Sequence, residues 1–305
     1  MPLAYASRII RKLDDLFGPG EEGPGLHGRK HGHHWTAGLR VACDDADGNH
    51  RDCIVQMPGS FLQPLTMDDK LGLLAYLLSF DGARCTRIDV ANDWRGEGID
   101  LVQHVRHACE RDELCKARTW STIAKYNRQT LDGETLAIGQ RGKKGSGRYI
   151  RLYDKGLEQG TSERGTWVRW EAEFTKGVAD QVARDILASA EPIATARGYA
   201  LGAVEFRTNN GKRIRDRPLC TWWASIVADT TTLRATMPRT KADFTSTCRW
   251  LQTQVMPTVQ GLADLAGQTI EGFVAKHVGE VCVRLDTLMR KPATHQFLQL
   301  AASGD

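Results

Sequence analysis

The chain has 305 residues, 41% of them hydrophobic and 26% charged, with a formal net charge of +4 and a pI near 8.6. That length and apolar content suit one large domain or two ordinary ones and exclude a disordered or fibrous chain. The eight cysteines form no C-x-x-C pair and no dense disulfide spacing, and no apolar run approaches the ~20 residues of a membrane helix, so a soluble, cytoplasmic protein with reduced thiols is expected.

Residues 6–17 have the spacing of a short amphipathic helix. The following GPGEEGPGLHGRKHGHH obeys neither helical nor strand period and reads as a loop or mobile arm, closing an N-terminal segment 1–34. Its His27, His31, His33 and His34 could ligate a transition metal, but the interspersed glycines favour a DNA-contacting or disordered arm. From Trp35 the pattern turns strand-like, and Asp47-Gly48 between two apolar runs signals a hairpin. Thr66 and Asp69 form a T-x-x-D cap for a helix over about 67–80.

TRIDVANDW, residues 86–94, alternates Ile88 and Val90 with Arg87, Asp89 and Ala91, and Asp93 keeps the polar parity. A helix over Ile99–Cys109 follows, then strands at ETLAIGQ (134–140), RYIRLYDKGLE (opening at 148) and TWVRWEAEF (166–174). In the second, Tyr149, Arg151, Tyr153 and Lys155 share one face opposite Ile150 and Leu152; in the third, Glu171 and Glu173 lie opposite Val168, Trp170, Ala172 and Phe174. Val178, Val182 and Ile186 mark a further helix, and AVEFRTN at 203–209 one more strand. Beyond Pro218 the spacing of Trp222, Trp223, Ile226, Val227, Trp250, Leu251, Leu262 and Leu265 is helical. The pattern predicts an α+β fold: an antiparallel sheet with helices on one face over 35–210, followed by a helical C-terminal subdomain over 211–305.

Three strands therefore carry a polar face, holding Asp89 and Asp93, then Arg151, Tyr153 and Lys155, then Glu171 and Glu173. Should those strands share a sheet, the carboxylates suit a hard divalent ion such as Mg²⁺ or Mn²⁺, which takes oxygen ligands. Tyrosine is a poor nucleophile at neutral pH unless a metal, Arg or Lys stabilises the phenolate, and Arg151 and Lys155 are the neighbours able to do so. A strand tyrosine can equally be a packing residue, and alternating Arg and Glu can be cross-strand pairs. Two basic windows stand out, Arg141, Lys143, Lys144 and Arg148 in the first and Arg213 and Arg215 in the second; each reads as a DNA-binding segment or a solvated face.

The motifs IVQMPGSFL, TRIDVANDW, TLAIGQRGKKGSGRYIRLYDKGLEQG, WVRWEAEF and WLQTQVMPTV resemble, in order and spacing, the replication initiation factor family of rolling-circle plasmids and filamentous phages. The resemblance runs over roughly residues 35–265 and implies a sequence-specific single-strand endonuclease and ligase acting in a bacterial host. It identifies Tyr153 as the nucleophile that becomes linked to a 5′ phosphate, with Tyr149 as runner-up. It further implies metal-ligating roles for Asp89, Glu171 and Glu173, a divalent cofactor, a homodimer and a host helicase as partner. One departure is the Gln140–Ser146 loop, longer and more basic than the family's usual form; its main-chain N–H groups and lysines could hold a phosphate, or it could be a simple hairpin turn. A non-catalytic DNA-binding regulator and a conjugative relaxase of the same fold are the competing readings.

Overall fold

In the computed structural model, which describes residues 3–44, 52–95, 101–142, 146–160, 166–235, 251–270 and 272–273, the alternating segments pair as one antiparallel sheet of five strands. Strands β5 (Arg87–Arg95), β7 (Trp120–Asn127), β8 (Thr130–Gly139), β9 (Arg148–Asp154) and β10 (Trp167–Thr175) lie in the order β5-β10-β9-β8-β7. The apolar parity of β8, β9 and β10 is buried, with Leu136, Ile138, Leu152, Trp170 and Phe174 fully excluded from water. Helices pack on that face: α4 (Leu101–Glu110), α6 (Lys176–Ala188) and α7 (Pro192–Gly202) contribute Val105, Val182 and Leu201 to the same core. The expected α+β architecture, with helices on one side of an antiparallel sheet, is what the chain adopts.

A second core lies within the same unit, between α1 (Ala6–Phe17), α3 (Met67–Leu78) and a small sheet of β1 (Glu21–Pro24), β2 (His31–His34), β3 (Arg40–Cys43) and β4 (Ile54–Gln56). The capping box at Thr66 forms as its sequence requires: the Asp69 amide donates to Thr66 Oγ1 at 3.1 Å, and the Thr66 amide to Asp69 Oδ2 at 3.2 Å. The β3–β4 pair realises the expected hairpin, whose Asp47-Gly48 tip lies outside the described residues.

The histidine-rich stretch differs from expectation. His31–His34 is not a loop but a strand paired on both sides, with Gly23 opposite Gly32 and His33 opposite Val41. Glycine is needed here for close approach, since a Cβ at position 32 would meet the Pro24 carbonyl oxygen at 2.2 Å. Backbone pairing supplies the order that the side-chain pattern does not advertise.

The chain divides into two units, Met1–Pro238 and Arg239–Asp305. Trp222 and Trp223, grouped by their spacing with the helical region from about 218, belong to the first unit: α8 (Thr221–Val227) buries Trp223 against Trp170, with ring centroids 5.5 Å apart. In the second unit a helix spans Met256–Leu265, opened by Pro257 in its first turn. No helix among the described residues is long and apolar enough to cross a membrane.

Candidate active site on the polar face of the sheet

The antiparallel register turns the shared parity of β5, β10 and β9 into three cross-strand rows. Asp89, Glu173 and Tyr149 form the first; Ala91, Glu171 and Arg151 the second; Asp93, Arg169 and Tyr153 the third. Side chains two residues apart on one strand project to the same side, so Glu171 sits between the two outer rows. From there it reaches Tyr153, whose hydroxyl donates to Glu171 Oε1 at 2.7 Å, while Arg151 Nη2 pairs with Glu171 Oε2 at 2.6 Å.

Every carboxylate on this face meets a guanidinium. Arg87 Nη2 stands between Asp89 Oδ2 at 2.6 Å and Glu173 Oε2 at 3.0 Å. Arg141 grips buried Glu173 through Nε at 3.2 Å and Nη2 at 2.6 Å, and its guanidinium lies 4.3 Å from the centre of the Tyr149 ring. Arg169 holds Asp93 bidentately at 2.7 and 2.8 Å. Burial alone would raise the Asp93 carboxyl, but that fork outweighs it and holds the group below its ordinary range.

The Tyr153 phenol is pushed the other way, well above the usual tyrosine range, first by burial and then by the hydrogen bond and negative charge of Glu171; Arg169 opposes the shift. Of the two expected helpers, Arg151 acts on Glu171 rather than directly on the phenol. Lys155 opens helix α5 (Lys155–Gln159) instead of continuing the strand; its ammonium is 5.8 Å from the centre of the Tyr153 ring and pairs with Glu158. Two residues at the centre of this network, Arg87 and Arg169, read in the sequence as polar-face and cross-strand-pair residues rather than as members of the site. Their signal was present, since each occupies the polar parity beside an acid.

The oxygen donors suit a hard divalent ion in kind, and Asp89 and Glu173 already converge on one cationic group. Among the described residues no three His, Cys, Asp or Glu side chains gather around a common point, because guanidinium groups fill the spaces between the acids. Asp93 lies four residues beyond Asp89 along β5, roughly 13 Å at ~3.3 Å per residue, and so does not share an ion with it. Of the DNA-binding candidates, Arg141 belongs to this face, and Lys143 and Lys144 lie outside the described residues. Arg148 has the opposite parity, toward the helices, while Arg213 and Arg215 flank Ile214 at a single helical turn and belong to none of the three rows.

The replication initiation factor family model matches residues 83–278, a span that contains all three rows. The chain is a member of the replication initiation factor family. A structure described as that of a rolling circle replication initiator protein from Geobacillus stearothermophilus shares the fold, with a TM-score of 0.61 and 22% identity over 75% of this chain and 89% of that one. No curated protein gives a significant sequence match. In this replication initiation factor, the matched span begins just before β5 and includes the complete sheet, so the polar face is built entirely from family residues.

Proposed function

We propose that this replication initiation factor nicks one strand of a rolling-circle origin through Tyr153 and later rejoins it. The observation that carries the reading is the 2.7 Å hydrogen bond from the Tyr153 hydroxyl to Glu171 on the polar face of the sheet, where arginines alternate with carboxylates. Glu171 is placed to take the phenolic proton as the oxygen attacks phosphorus; the P–O3′ bond breaks, the 3′ oxygen leaves and takes a proton from water, and a 5′-phosphotyrosine link remains. Because one phosphodiester replaces another, the reverse attack by a 3′ hydroxyl reseals the strand.

Asp89 and Glu173 would hold a divalent ion, Mg²⁺ or Mn²⁺, with Glu171 adjacent; such an ion supplies neutralisation of phosphate charge. Arg169 lies across from Tyr153 and favours the phenolate, and Arg151 orients Glu171. Arg141, Lys143, Lys144 and Arg148, with Arg213 and Arg215, supply charge for the DNA backbone. A homodimer and a host helicase, which the family resemblance implies, belong to the same reading, as does the assignment of catalysis to residues 35–210.

The test uses supercoiled plasmid carrying the cognate origin, with Mn²⁺, and scores both nicking and a protein–DNA adduct that survives denaturation. Tyr153→Phe abolishes both while Tyr149→Phe retains the adduct. Nicking by Tyr153→Phe at the wild-type rate would remove Tyr153 from the chemistry, and the lack of any adduct in the wild type with either metal would favour a non-catalytic DNA-binding regulator.

A further inference from the structure

Away from the polar face, an open cavity of about 550 Å³ is lined by Lys116, Glu205, Arg207, Arg213, Arg215 and Arg234. It lies between the two-stranded sheet of β6 (Leu114–Cys115) and β11 (Glu205–Phe206), the single helical turn Ile214–Asp216, and the extended segment after α8. Five cations therefore face one carboxylate. That carboxylate is already engaged: Lys116 Nζ lies 2.9 Å from Glu205 Oε2, and Arg207 Nε donates to Oε1. Burial would raise the Glu205 carboxyl, but these two partners outweigh it and keep it ionised and fully used.

Among the described residues the remaining charge meets little of opposite sign. Arg215 has only a long contact, 3.6 Å, with Asp216, and both side chains are exposed. Among the described residues no carboxylate pairs with Arg213, Arg234 or the neighbouring Arg148. Arg148 carries the sign of this imbalance, since its guanidinium is driven below its ordinary range first by burial and then by the positive charge of Arg234. The contrast with the polar face is informative, because there each acid has its own arginine. A cavity whose like charges repel one another is stabilised by an anion lodged between them.

We propose that this cavity is a second DNA contact, holding backbone phosphates of a single strand between Arg213, Arg215 and Arg234, separate from the nicking face. None of its lining residues belongs to the three rows around Tyr153. Exposed Ile214, half of whose surface is open, gives the cavity rim an apolar contact for a base. The inference rests on the reading of the chain as a DNA-acting initiator, but it needs no cleavage.

Full-length protein carrying Tyr153→Phe, which binds without cutting, is titrated with labelled oligothymidylate about 30 nucleotides long at several salt concentrations. Adding Arg213→Glu and Arg234→Glu weakens binding at least tenfold near 0.1 M salt and lowers the salt slope by about 1.4, two contacts at ~0.7 each. The same charge change at exposed Arg11 and Lys12 on α1 has no such effect on the slope. Unchanged affinity and slope in the first variant overturn the proposal. A measurement on the wild type guards against misfolding of the variant: the oligonucleotide should protect Arg213 and Arg234 from phenylglyoxal, and full modification in its presence also overturns it. Protection by polyglutamate but not by the oligonucleotide would assign the cavity to an acidic protein instead and likewise overturn it. If Tyr153→Phe still nicks, the catalytic reading fails while the binding result stands on its own.

Discussion

At Tyr153 two demands meet. Burial and the hydrogen bond to Glu171 keep the proton on the phenol, whereas the proposed attack on phosphorus would require its removal. In the proposed reaction the carboxylate that hydrogen-bonds the resting phenol would also accept its proton, with Glu171 held by Arg151 at 2.6 Å. Replacing Glu171 with Gln keeps a hydrogen-bonding side chain of the same shape and removes the base. Single-turnover adduct formation should fall by about 10²–10⁴-fold, with strand binding retained. An unchanged rate would leave Glu171 a positioning or metal-holding group. The placement of Tyr153, Asp89 and Glu171 on one polar face was legible in the sequence, because each sits at the polar parity of its strand. The sequence hid the pairing, because periodicity says which face a side chain takes but not which strand lies beside it.

A second tyrosine gives a pH prediction. Tyr199, buried in the main core, is pushed up to about 12, first by burial and then by its hydrogen bond to Asp185. An unfolded tyrosine ionises near ~10, so between roughly pH 10 and 12 the unfolded chain has released a proton that the native chain keeps. Unfolded molecules then bind fewer protons, and stability falls as pH rises through that window. Urea midpoints measured from pH 9 upward should decline less steeply for Tyr199→Phe than for the wild type; parallel curves would show that Tyr199 does not contribute to the slope.

At the scale of elements, what could be read was what periodicity marks. Strands β9 and β10 have one buried and one polar face, β5 has one half-buried and one exposed face, and helix α3 has both a capping box and an apolar stripe. Thr66→Ala removes one half of that box and should lower stability by about 1 kcal/mol, read as a shifted urea midpoint with an unchanged slope. A change below a few tenths would mean that water replaces the cap. Elements without a period escaped notice. Strand β7 is exposed along nearly its whole length, so it shows no alternation, and α7 is buried over its last turns by Gly198, Tyr199, Ala200, Leu201 and Gly202, so it shows no stripe. Strands β1 and β2 are built from Gly, Pro, Glu and His, whose order comes from backbone pairing rather than from an apolar period.

For the whole molecule, the question is where the unit that carries the polar face ends. Reading the change from strand to helical spacing as a boundary near 210 separates Trp222 and Trp223 from the sheet, yet these rings complete its core. Trp223 is buried against Trp170, and its ring lies 5.0 Å from that of Phe206. Both cores of the first unit are complete by Ala235. A fragment of residues 1–238 should therefore melt cooperatively with the near-ultraviolet dichroism of a packed tryptophan cluster. A fragment ending at Arg217 uncovers Trp170 and Phe206, a loss comparable to truncating a large buried side chain, about 3–5 kcal/mol. Against a typical total of about 5–15 kcal/mol, that loss should leave the shorter fragment partly unfolded at room temperature, with a weakened near-ultraviolet signal. Equal melting temperatures and spectra for the two fragments would place the boundary before α8 after all and make the Trp170–Trp223 contact incidental to the fold.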